Sequence, residues 1–160
     1  IDMVNHIKAV TPNSLQYVIK DMFETITLYK NRIVDSEVTE LDNGKFQVDI
    51  EFSVSKYRND EKGKRFYGEK VGDSLIYQAE GKKRPEYSVI LADYIDIGIF
   101  AEDEGEDGEK KEVELYLKKH KVTEINNKIT IIVDRKPTEV GVDPYNKLID
   151  TSSEDNRKEF

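Results

Sequence analysis

His6 and His120 are the only imidazoles in the chain, and neither stands where zinc chemistry needs it. A zinc hydrolase commonly carries two histidines one helical turn apart, with a glutamate beside the first, so that both rings share a face. His6 is followed by Ile7-Lys8-Ala9-Val10, and His120 lies between Lys119 and Lys121. Both read as solvated side chains. Ser74, in Gly72-Asp73-Ser74-Leu75-Ile76, lacks the second glycine of a nucleophile elbow, and no base or oxyanion hole is evident around it. The acidic run Glu102–Glu109 invites a calcium test. Counted from Asp103, Asp107, Gly108 and Glu114 fall at the fifth, sixth and twelfth places of a calcium-binding loop, but Gly105 occupies the third. The residues after it alternate like a strand, so a solvated hairpin loop is expected there. No catalytic, cofactor-binding or metal-ligating set is assigned, and the chain reads as non-enzymatic.

Two basic-aromatic patches remain, Lys56-Tyr57-Arg58 with Lys64-Arg65-Phe66-Tyr67, and Lys82-Lys83-Arg84. Such patches can touch anionic lipid or single-stranded nucleic acid. In a chain of net charge −8 they read as charged loop faces, and nucleic acid is excluded as the main partner. The 160 residues fit one domain with short attachments, and 37% hydrophobic against 36% charged content implies a modest core. There is no cysteine, hence no disulfide or thiolate site. No apolar run is long enough to span a membrane, and no signal peptide opens the sequence. A start at Ile1 rather than Met suggests an excised fragment.

The elements that would position any site are set by hydropathy period. The first ten residues carry few structural signals. Thr11-Pro12 resembles a helix start, and Leu15, Val18, Ile19, Met22, Phe23 and Ile26 recur at helical spacing, predicting an amphipathic helix to about Tyr29–Asn31. After Arg32 the period becomes two. Phe46, Val48, Ile50, Phe52 and Val54 alternate with Gln47, Asp49, Glu51 and Ser53, and Asp42-Asn43-Gly44 turns Ile33–Leu41 into them as a hairpin. Phe66–Gln78 is ambiguous and has room for a short edge strand, while Glu80–Pro85 reads as a loop. Tyr87–Ala101 is long for one strand and is expected to bend, or to split near Ala92-Asp93. Strands are also expected around Val113–Leu117 and over Ile129–Asp134, separated by a turn at Ile125–Lys128. Ile129, Ile131 and Val133 should share a face, and Pro137 should end the run. The pattern predicts a mainly β fold: an immunoglobulin-like antiparallel sandwich behind one amphipathic helix. The expected division is a helical lead-in over 1–31, a sandwich over 32–138 and a tail over 139–160, its polar end (TSSEDNRKEF) mobile.

Several runs resemble a known family. They are Thr11–Arg32 (TPNSLQYVIKDMFETITLYKNR), Asp93–Phe100 (DYIDIGIF), Leu115–Lys121 (LYLKKHK), Ile131–Thr138 (IIVDRKPT) and, most distinctive, Gly141–Asp150 (GVDPYNKLID). Together they resemble the C-terminal end of the ABC-transporter permease/aminopeptidase fusions of Bacteroidetes and related bacteria. The similarity spans most of the chain and is poor over Arg65–Pro85. It implies a β-sandwich following a gluzincin-type zinc peptidase domain related to aminopeptidase N. That would place the module on the extracytoplasmic side of a membrane-anchored parent. The family's zinc helix and catalytic glutamate have no counterpart here, so no catalytic residue carries over.

The Gly141–Asp150 run also makes physical sense as a docking strap. Gly141 would permit an unusual turn, Pro144 would stiffen the next, and Asp143 and Asp150 would cap backbone N–H groups. Apolar anchors to the preceding peptidase-like domain are expected at Leu15, Val18, Met22 and Phe23 on the helix, and at Tyr145, Leu148 and Ile149 on the strap. The alternative is an extracytoplasmic interaction module of a transporter, binding a partner protein through a sheet edge or Tyr-rich strands. A calcium-dependent adhesive sandwich is a third possibility.

Overall fold

The computed structural model describes residues 2–59, 62–71, 74–77, 89, 91–105 and 108–160, with the backbone alone for 66–71 and 74–77. The chain divides into two compact units, Ile1–Leu28 with Lys56–Val89 and Tyr29–Ser55 with Ile90–Phe160. The helical lead-in is therefore joined in its unit by a later segment, and residues 139–160 lie within the second unit.

Helix α1 spans Asp2–Val10, where the sequence carries few structural signals. The Thr11 hydroxyl does not cap the next helical segment. It donates back to the Ile7 carbonyl at 2.7 Å, closing the end of α1. After Pro12 the chain makes a 3-10 turn over Asn13–Leu15, a short helix α2 over Gln16–Ile19 and a π turn over Lys20–Glu24. Helical geometry ends at Thr25, in extended conformation, and strand β1 runs Ile26–Glu40. The predicted helix thus stops short of Ile26. Thr25, Ile26 and Thr27 are β-branched and suit a strand, and burial alternates through Thr27, Tyr29, Asn31 and Ile33.

The Asp42–Gly44 turn forms as expected. Gly44 has φ of 75°, its N–H donates to the Leu41 carbonyl, and the Leu41 N–H donates to Lys45. It joins β1 to β2, Phe46–Asn59. Within the second unit β2 also pairs with β7, Asn126–Val133, in a register placing Val48 opposite Ile131 and Ile50 opposite Ile129. Asn126 already belongs to β7, so the chain turns earlier than predicted. In the first unit Arg58 and Asn59 pair with β3, Arg65–Val71, which pairs with β4, Ser74–Tyr77. The ambiguous stretch therefore holds two strands. The loop expected over 80–85 lies outside the described residues.

The second sheet has the order β6-β5-β8-β9, from β5 Asp93–Glu104, β6 Lys110–Val122, β8 Glu139–Val142 and β9 Arg157–Glu159. β5 begins at Asp93, where a split was expected, and runs beyond Ala101, so that Glu102–Glu104 of the acidic run belong to the strand. Beyond it the Gly105 N–H donates to the Glu109 carbonyl at 2.7 Å. Residues 139–160, read as a tail, instead supply two strands. The run read as mobile is anchored where Phe160 N–H donates to Thr138 O and Val142 N–H to Asn156 O.

The core lies in the second unit, between the inner faces of the two sheets. Val48, Ile50, Phe52, Val54, Ile131 and Val133 come from one, and Ile95, Ile97, Ile99, Val140 and Val142 from the other. Each such aliphatic side chain, fully buried, stabilises the fold by about 1.5–3 kcal/mol. The fold is mainly β, with two sheets of antiparallel ladders in a sandwich-like core.

Candidate functional site

Gly141–Asp150 builds the most elaborate polar structure in the second unit. On β8, Gly141 stands opposite Gly98 of β5. A Cβ added to Gly98 would lie 2.6 Å from the Phe100 ring and 3.0 Å from Pro144, and one added to Gly141 would lie 2.8 Å from Pro144. The two glycines clear the outer face of the sheet so that Pro144 can lie on it. Gly141 is needed for this close approach, and not for the unusual turn predicted. The left-handed positions are Asp143 and Asn146, with φ of 46° and 50°. Asp and Asn tolerate that region better than other side chains.

The capping roles expected for the two aspartates are realised. Asp143 accepts the backbone N–H groups of Lys147 at 3.1 Å and Leu148 at 2.9 Å. Asp150 accepts those of Asn31 and Ser152, both at 2.8 Å. Tyr29 N–H donates to Ile149 O, and Thr151 N–H donates back to Tyr29 O, which locks the strap beside β1. The Asn156 amide, oriented with its nitrogen toward acceptors, donates to the Asn31 carbonyl at 2.9 Å and to Asp150 at 3.2 Å.

Charge is arranged around Asp96. Burial alone would raise its carboxyl, but hydrogen bonds from Lys147 at 2.7 Å and Lys119 at 3.3 Å hold it below the ordinary aspartate value. Asp143 moves the other way. Its burial outweighs the two N–H bonds, and the negative charges of Asp96 and Asp150 add to the rise. Beside them, Tyr145 meets buried Phe100 edge-on at 6.0 Å, and the Arg157 guanidinium lies 4.3 Å from the same ring. Tyr145 donates its hydroxyl to Glu114 at 2.7 Å, and this bond, with burial and the Glu114 and Glu112 charges, pushes its pKa up to about 12. Arg157 in turn binds Glu139 and Glu112.

The strap's expected anchors thus divide. Leu148 packs on the core of its own unit and Tyr145 serves Phe100 and Glu114, while Ile149 stays 69% exposed. On the helical segment of the first unit, Met22 is 68% exposed, Phe23 and Leu15 are exposed, and Val18 is half-buried. The two anchor groups belong to different units. Phe100, Arg157 and Gly98 were not foreseen as parts of the strap. Arg157 sits in a run with no apolar period, and nothing local to it points at a ring 57 positions earlier in the chain.

The remaining candidates resolve as structure. Lys56 and Arg58, expected on a solvated face, are buried in the first unit. Both pair with Asp21 at 2.5 Å, and the Tyr17 ring faces Lys56 at 5.4 Å. Arg65 stacks on buried Tyr57 at 3.5 Å, Lys64 is exposed, and the patch at 82–84 lies outside the described residues. His6 binds the Asp2 carbonyl within α1. His120 is half-buried rather than solvated. It shares a 2.7 Å hydrogen bond with Tyr116, and burial, then the Lys118 charge, lowers its pKa. In the calcium-loop register Asp103 pairs with Arg135, Glu114 accepts from Tyr145, and Asp107 lies outside the described residues. Among the described residues no three His, Cys, Asp or Glu side chains are grouped to hold a metal. None of their helices is long and apolar enough to cross a membrane.

A groove of about 460 Å³ lies in the second unit, lined by Phe100, Glu102, Glu112, Pro137, Glu139 and Phe160 among others. Three of its carboxylates are engaged, Glu102 with Lys110 and Glu112 and Glu139 with Arg157. No protein-family model, curated protein or solved structure matches this chain.

Proposed function

We propose that this chain is a non-catalytic, immunoglobulin-like module that supports the extracytoplasmic zinc aminopeptidase-like domain of a membrane-anchored ABC-transporter permease fusion. The family part of the reading rests on the resemblance of several sequence runs, Gly141–Asp150 foremost. The supporting role rests on one observation. Leu15, Met22 and Phe23 stay exposed along one short helical segment, although large apolar side chains gain free energy by leaving water. A neighbouring domain packed on that segment would cover them. The module works as a buttress and takes no part in peptide hydrolysis or zinc binding.

The test uses the chain with the preceding part of its parent supplied as a separate protein. Association is expected, and M22E with F23E should abolish it while leaving the thermal midpoint of the chain unchanged. Zinc-dependent peptide hydrolysis by the purified chain would overturn the reading. So would a parent reading frame without an H-E-x-x-H helix and membrane spans upstream. A second reading, an interaction module of a transporter, draws on the long edge strand β6, to which a partner strand could add.

A further inference from the structure

β6 ends its sheet, and among the described residues it pairs only with β5. Thirteen residues of backbone therefore present one side with no ladder partner in that sheet, whereas β9 at the opposite edge is only three residues long. Open edges of this length invite another strand, and lysines usually guard them. Here the lysines are matched by glutamates in a particular order.

The match depends on a bulge. Ile99 stands opposite Tyr116, and Phe100 stands opposite Glu114, so Leu115 is an extra residue on β6. One extra residue reverses the alternation of faces beyond it. Glu112 and Glu114, opposite Glu102 and Phe100, consequently share the outer face with Leu117, Lys119 and Lys121, which stand opposite Gly98, Asp96 and Tyr94. In an unbulged strand the two glutamates would point to the other face from these lysines.

We infer that β6 is a self-complementary edge that pairs antiparallel with β6 of a second copy of this chain, about a two-fold axis through Leu117, with Leu115 the extra residue on each strand. That register sets Glu112 opposite Lys121 and Glu114 opposite Lys119 of the second copy, each twice by symmetry. All four pairs lie on the outer face. Val113 then faces His120, Lys111 faces Val122, and no like charges are opposed. Centring the axis on Tyr116 instead sets Glu112 against Lys119 but Lys110 against Lys121. Centring it on Lys118 sets Glu114 against Lys121 but opposes the two Lys118 side chains. The charges therefore select one register and disfavour its neighbours. Glu112 already binds Arg157 and Glu114 accepts from Tyr145, each through one oxygen, and a carboxylate accepts further donors. The inference stands apart from the supporting role, which concerns the helical segment of the other unit.

The test is the mass of the full chain against concentration by sedimentation. It should rise from 18.5 kDa toward twice that value. E112K/E114K and K119E/K121E should each stay monomeric, while an equimolar mixture of the two should form a heterodimer. The first variant removes internal contacts of Arg157 and Tyr145 and the second removes the Lys119 bond to Asp96, so K121E serves beside them, because Lys121 is exposed and its charge lies away from those contacts. K121E should weaken self-association about tenfold by opposing like charges. With no native cysteine present, oxidation should cross-link E112C to K121C chains in preference to K119C chains. Wild-type chain monomeric throughout, or a dimer indifferent to K121E and without the 112–121 cross-link, would overturn the inference.

Discussion

Gly98 of β5 lies directly opposite Gly141 of β8, and Pro144 occupies the space the pair leaves open. Neither glycine is needed for its own backbone conformation, since neither has a positive φ. Each is needed for what it lacks. G141A sets a methyl against the rigid Pro144 ring, and G98A sets one against the Phe100 ring, held beneath Tyr145. Overpacking of this kind costs about 1–3 kcal/mol, read as a lower urea midpoint with an unchanged m value. The double variant should cost less than the sum, because one displacement of Pro144 relieves the G141A clash together with the 3.0 Å contact that G98A adds to its clash with Phe100.

Asp143 combines a left-handed backbone with two accepted N–H bonds. D143A loses both advantages and should destabilise by about 1–2 kcal/mol, as removal of a helix cap does. D143N keeps one acceptor oxygen and tolerates the same φ, so it should cost distinctly less. Equal losses in thermal unfolding would refute this account of the strap.

The two neighbouring aspartates should imprint opposite pH dependences on stability. Asp143 has a raised folded pKa, so its folded form binds the proton more tightly than the unfolded chain. Its contribution is favourable at acid pH and is lost as pH rises from the unfolded aspartate value through the raised folded one. Asp96 is lowered, so its contribution is present above the unfolded value and is lost as pH falls through the depressed one. Melting midpoints followed downward from neutral pH should gain slightly, then fall. D143N should remove the gain, and K147M should move the fall to higher pH by taking away the strongest Asp96 donor.

Tyr145 should ionise late, near pH 12, in an ultraviolet titration. E114Q removes the first cause of that shift and should bring this step down toward the ordinary tyrosine value. Y145F should delete the step, with a loss of stability of no more than about 1 kcal/mol, because the residue is partly solvated.

In the first unit, Asp21 is the carboxylate that buried Lys56 and Arg58 share. D21N should cost about 3 kcal/mol, since it takes from two buried cations a charged acceptor that both hold at 2.5 Å. Loss of amide protection at the end of β2 would locate the effect. A change under about 0.5 kcal/mol, the size expected of an ordinary surface substitution, would mean that water reaches the cluster.

Some of this was legible along the chain. The alternation of Phe46–Val54, the turn at Asp42–Gly44 and the shared face of Ile131 and Val133 are local, because side-chain period and turn geometry are set by near neighbours. The capping aspartates were legible for the same reason, being two to five residues from most of the N–H groups they bind. The amphipathic stripe misled at Ile26, where helical and strand periods both accept the residue, and pairing of β1 within a sheet decided between them.

What the sequence by itself determined is thus the mainly β character, the hairpin, and the Gly141–Asp150 strap with its carboxylate caps. Only the tertiary structure decided that the strap closes on its own sheet, that Gly98 and Gly141 make room for one proline, and that Arg157 leaves a polar run to lie against Phe100. It also decided that the Leu115 bulge brings two glutamates onto the face of two lysines. The physical reason is common to all of these. They depend on strand register and pairing order, which bring residues far apart along the chain into contact and leave no period in the sequence to read.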